Sequence, residues 1–114
     1  LPPEQEEDAR RALHTGACSV YHLCCHNFLH GRSREAVAEA YKSAVFLLQA
    51  KAYLEQEIYC RRWADLAQRL TGRDLEILQT AQALKAGECQ EDLPALTDRL
   101  LAWCRDVICR YGPA

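Results

Sequence analysis

Leu13, Ala17, Val20, Tyr21, Cys24 and Phe28 fall on one arc of a helix turned by about 100° per residue. The spacing predicts a first helix from about Glu6 to about His30. Gly31 stands where a left-handed cap would end it. A second face runs through Val37, Tyr41, Ala44, Val45, Leu48, Ala52, Tyr59, Trp63, Leu66 and Leu70. Ser33 is its expected N-cap, and no Gly or Pro interrupts the chain from there to Leu70. A helix of that length would reach roughly 55 Å, with any bend expected near Glu55–Glu57. Its middle, Ala44 to Leu48, is apolar in every direction. Leu47, Leu54 and Ile58 form a second stripe. Phe46, Tyr53 and Cys60 form a third, nearly opposite the main face. A helix that is apolar all round is a buried one, so this element is expected to be central.

Thr71-Gly72 is read as the end of that helix, with Asp74 capping a shorter third one that carries Leu75, Ile77, Leu78, Ala81 and Leu84. An acidic turn, Glu88 to Asp92, follows Gly87. Asp92 then caps a fourth helix with Pro94 in its first turn. Leu93, Leu96, Leu100, Leu101, Trp103, Cys104, Val107, Ile108 and Tyr111 give that helix a wide apolar face, and Gly112-Pro113 stops it. No alternating strand pattern occurs. The expectation is an all-α, antiparallel four-helix bundle with one long central helix. Leu48, Leu66, Leu100 and Trp103 are expected in its core. Residues 1–5 read as a disordered lead-in and 6–112 as a single domain.

Glu35-Ala36-Val37-Ala38-Glu39-Ala40-Tyr41-Lys42-Ser43-Ala44 resembles the Glu-Ala…Tyr…Ala helix of tetratricopeptide and microtubule-interacting-and-transport domains. The likeness covers about a tenth of the chain. The tetratricopeptide period of about 34 residues is absent, and the other helices follow neither pattern. The resemblance implies close helix packing through small residues and assigns no family.

The 114 residues suit one domain, and a hydrophobic content of 49% rules out disorder. Fourteen basic and 16 acidic residues leave a net charge of −2. That balance argues against a general nucleic-acid or membrane binder. Charge is nevertheless blocked: residues 10–34 hold Arg10, Arg11, Arg32 and Arg34 with no acid, while residues 74–92 are strongly acidic. The chain has no Met, so it is expected to be a piece of a longer protein. Its seven cysteines, 18, 24, 25, 60, 89, 104 and 109, are odd in number, and all but Cys89 lie in helical segments. Reduced thiols in the cytoplasm or nucleus are the reading, ahead of a secreted helical cytokine.

Candidate chemistry is sparse. His14, Cys18, His22, His26 and His30 step by four along the first helix. Each step turns about 40°, so the row spirals over the outer face rather than converging on a metal. Cys25 lies near His22 and His26, but late in a helix, where the dipole opposes a thiolate. No di-iron Glu-x-x-His pair, phosphate loop or nucleophile elbow occurs. The expectation is therefore no enzyme, no metal and no cofactor.

The leading functional reading is a scaffold or adaptor domain that docks an acidic amphipathic helix or a second copy of itself. Phe46, Tyr53, Arg61 and Arg62 are the expected partner-binding residues, with Lys42, Gln49 and Gln56 beside the groove. The alternative is a small regulatory bundle that senses metal or redox state through His and Cys on the first helix. Neither membrane nor nucleic acid is an expected partner.

Overall fold

Pro3 starts the first helix, three residues before the expected Glu6, because proline suits a first turn whose amide needs no acceptor. The computed structural model describes residues 2–113, so the part of the expected disordered lead-in that falls on Leu1 lies outside it. The described residues are all-helical. Helix α1 spans Pro3–His26, and a π turn continues it over Asn27–Gly31. Then come α2 (Arg34–Gln56), α3 (Trp63–Ala67), α4 (Gly72–Ala86) and α5 (Leu93–Tyr111).

The buried residues of α1, namely Leu13, Ala17, Val20 and Cys24, belong to the arc read from the sequence. The helix lies against both α2 and α5. Gly16 allows the close approach to α2: a Cβ there would sit 2.5 Å from Leu47 Cδ2. Leu48, Leu66, Leu100 and Trp103 are all buried in one core cluster shared by the helices. Ser33 and Asp92 cap as expected, accepting from the Ala36 and Ala95 amides at 3.1 and 3.0 Å.

Two expectations about helix ends are corrected. The left-handed residue after the first helix is Arg32 (φ 47°), one position beyond Gly31. The π turn takes up an additional residue, and the Arg32 amide donates to the Asn27 carbonyl five positions back. The Asn27 side chain clamps the exit, donating to the Ser33 carbonyl and accepting from the Ser33 amide, both at 3.0 Å. Asp74 is not the cap of the third long helix. It lies within the first turn of α4, behind Thr71 as the capping position, where its charge suits the helix dipole.

The larger correction concerns the long central helix. It ends at Gln56, and Glu57 adopts the left-handed conformation (φ 59°) without help from Gly or Pro. The chain then folds back in an irregular return segment, residues 57–62, before α3. Gln49 Nε2 donates to the Cys60 and Arg61 carbonyls, each at 3.1 Å, and Gln56 Nε2 donates to the Arg69 carbonyl at 3.1 Å. The physical reason is length. The molecule measures 42 Å along its longest axis, so a helix of roughly 55 Å would carry Trp63, Leu66 and Leu70 beyond every neighbour. Reversal buries Leu66 and Leu70 instead.

Candidate functional site

Phe46 is 70% exposed on the outer face of α2, while its neighbours Ala44, Val45, Leu47 and Leu48 are buried. Tyr53, seven residues on, is 39% exposed. Gln49 lies between them, within one helical turn of each. It was expected at the polar rim, but it is only 8% exposed and holds the return segment. Cys60, expected in line with Phe46 and Tyr53, is off the helix and buried within that segment. A continuous helix would have placed Arg61 about 12 Å beyond Tyr53. The reversal instead sets the Arg61 backbone on Gln49, abreast of the two aromatics.

Arg61 and Arg62 share a shallow surface with Tyr59 and Asp65, both exposed, and with buried Cys60. Among the described residues neither guanidinium takes part in an ion pair. Several other arginines are engaged: Arg34 donates to the Cys89 and Glu91 carbonyls at 2.8 and 2.7 Å. Arg73 pairs with Asp106 at 2.8 Å. Arg99 makes a bidentate bridge to Glu91 at 2.9 and 2.6 Å. Much of the local charge blocking thus closes the acidic turn and joins helices.

A second surface feature opens at the far end of α1. Val20, Leu23, His26, Asn27 and His30 face Ala36, Glu39, Ala40 and Ser43 of α2 across a mainly apolar cleft of about 510 Å³. Leu23 is exposed beside it. Phe46 lies one turn beyond Ser43 on α2, so the cleft runs toward the aromatic face.

The main chemical cluster is one that sequence reasoning missed. Lys51 is buried with its ammonium 2.6 Å from Asp74 and 3.2 Å from Glu55. Trp103 Nε1 donates to the other Asp74 oxygen at 2.8 Å, and the Tyr111 hydroxyl donates to Glu55. Burial alone would raise the Glu55 carboxyl, but the Tyr111 hydroxyl and the Lys51 ammonium outweigh it and hold the group below its ordinary range. Burial pushes the Tyr111 phenol up, and its bond to Glu55 adds to the effect. The two carboxylates share the Lys51 ammonium, Arg110 Nη2 lies 3.5 Å from Glu55, and each donor has its acceptor, so the cluster ties α2, α4 and α5 together. The signal was present in the sequence: Lys51 interrupts the apolar stripe of Ala44, Leu48 and Ala52, and Glu55 follows at i+4.

Among the described residues, no group of three or more His, Cys, Asp or Glu side chains is placed to hold a metal ion. All seven cysteines are free. Burial pushes the thiols of Cys24 and Cys104 up to about 11 and about 12, whereas Cys109 is exposed. An alkylating reagent at neutral pH is therefore expected to modify Cys109 first and to leave Cys24 and Cys104 unmodified until the protein unfolds. Peptide mapping after timed quenching checks this. Early labelling of Cys24 would mean that the packing of α1 on α5 is wrong.

No protein-family model matches the chain. No curated protein and no solved structure matches it either. No helix among the described residues is long and apolar enough to cross a membrane.

Proposed function

We propose that this chain is a non-catalytic interaction domain, a scaffold or adaptor module that docks an acidic amphipathic helix on the outer face of α2. Self-association through the same face is the competing mode. The carrying observation is the 70% exposure of Phe46 in the middle of α2, between the buried pairs Ala44-Val45 and Leu47-Leu48. A large aromatic held out of a full core presents apolar area that a partner can cover. Tyr53 extends the aromatic line. Arg61 and Arg62 add unpaired positive charge abreast of it, which favours an acidic partner. The framework beneath is read as four long helices running antiparallel, with α3 inserted between α2 and α4. Two contacts support that reading: Arg10 near the start of α1 donates to the Arg110 carbonyl at the end of α5, and Lys51 late in α2 meets Asp74 early in α4. In this reading the protein needs no cofactor, membrane or nucleic acid.

Pull-down with the domain followed by mass spectrometry supplies the partner, and titration calorimetry then measures it. Phe46→Ala and Tyr53→Ala are each expected to weaken binding by more than about 1 kcal/mol. Folding stability of Phe46→Ala should change by no more than about 0.5 kcal/mol, as for other exposed sites. Arg61→Glu with Arg62→Glu should slow association and flatten its salt dependence. Normal binding by both aromatic variants would remove this face from consideration.

A further inference from the structure

The histidine row does not spiral to its end. His22 and His26 lie within the regular α-helix, and their ring centroids are 6.4 Å apart. His26 and His30 are separated by the same number of residues, yet their centroids are 4.8 Å apart. The backbone differs between the two pairs. In an α-helix four residues overshoot a full turn by about 40°. The wider π turn over Asn27–Gly31 removes that overshoot and brings the second imidazole back over the first. Both side chains are exposed, so neither ring is placed there by core packing.

The charges around the pair suit a cation. His26, His30 and Glu39 line the same cleft; Glu39 supplies negative charge there but is not placed with the two imidazoles as a third ligand. Of the nearby positive groups, the Arg32 guanidinium is engaged over the Phe28 ring at 4.9 Å, and Arg34 is bonded to the Cys89 and Glu91 carbonyls. The Asn27 clamp on Ser33 holds the π turn in place. Imidazole nitrogen is a good ligand for divalent zinc, and two such ligands leave the remaining positions of a tetrahedral ion to water.

We infer that His26 and His30 form a two-imidazole site for a divalent transition metal such as zinc, set up by the π turn at the end of α1. The inference is independent of the docking face, since it uses neither Phe46 nor Tyr53. A zinc titration of the reduced protein, followed by imidazole nitrogen NMR, tests it directly. The expected result is a shift of the His26 and His30 ring nitrogens, with His14 and His22 unmoved. Loss of a second-shell partner already weakens metal sites tenfold or more, so His26→Ala and His30→Ala should each lower zinc affinity at least about tenfold. Both positions are exposed, so the variants should keep the wild-type circular dichroism spectrum. His22→Ala should bind as wild type. Equal loss in His22→Ala would overturn the role of the π turn. Unshifted imidazoles, or binding that survives removal of both His26 and His30, would overturn the site.

Discussion

Trp103→Ala is expected to cost about 3–5 kcal/mol of folding stability, the range for deleting a fully buried large aromatic. Trp103 is 1% exposed and among the largest side chains in the core. Its removal opens a cavity among helices that cannot all close on it. It also takes the indole N–H from Asp74, which already holds Lys51 through its other oxygen. Urea denaturation followed by circular dichroism gives the number. Trp103→Phe keeps a six-membered ring, so it leaves a smaller cavity, and it loses the hydrogen bond to a charged acceptor, which is worth about 1.5–3 kcal/mol. A cost for Trp103→Ala below about 1 kcal/mol, the scale of one ordinary hydrogen bond, would mean that the indole is not packed as described.

Lys51→Met is expected to cost about 3 kcal/mol, the lower end of the range for breaking a buried ion pair by removing one partner. The lower end applies because the Glu55 and Asp74 side chains keep 28% and 23% exposure, and water screens what the ammonium leaves behind. The shape of the methionine stem limits loss of packing, so most of the effect is electrostatic. Its pH dependence follows from Glu55. That carboxyl titrates below its ordinary value of 4.5 in the folded protein. A depressed carboxyl contributes stability that is present above its unfolded value and lost as the pH falls through its folded value. The gap between wild type and Lys51→Met should therefore be full at pH 7 and shrink as the pH drops below 4.5. Denaturant midpoints at several pH values measure it, and a gap that stays constant into acid would detach Glu55 from the network. Lys51 and Trp103 both act on Asp74, so the double variant should lose less than the two single losses added together.

The proposed docking face shows what a linear reading of a helix can and cannot reach. Phe46 and Tyr53 lie opposite the main apolar stripe by spacing alone, and both are exposed. Cys60 is placed by extending the same helix and Gln49 by its spacing within it, and both are buried by the turn that replaces the extension. The Arg61 carbonyl comes to Gln49 through chain reversal rather than helical continuation. The Lys51 cluster was legible only as a cation interrupting an apolar stripe. Its partners Asp74, Trp103 and Tyr111 lie 23 to 60 residues away in the chain and carry no common spacing.

By itself the sequence determined the helical class, the buried faces of α1 and α5, and the Ser33 and Asp92 caps. Those features depend on interactions within about four residues along the chain, where periodicity and capping act. The end of α2 at Glu57, the π turn after His26, the Lys51 network and the use of Arg34 and Arg99 to close the acidic turn were decided by tertiary structure. No Gly or Pro marks Glu57 as a stop. Local propensity favours continuing the helix, but core burial of Leu66 and Leu70 is worth more than another few turns projecting into water. Only the finite length of the neighbouring helices makes that choice: the bend expected near Glu55–Glu57 falls at the right place, but nothing in that window specifies a reversal.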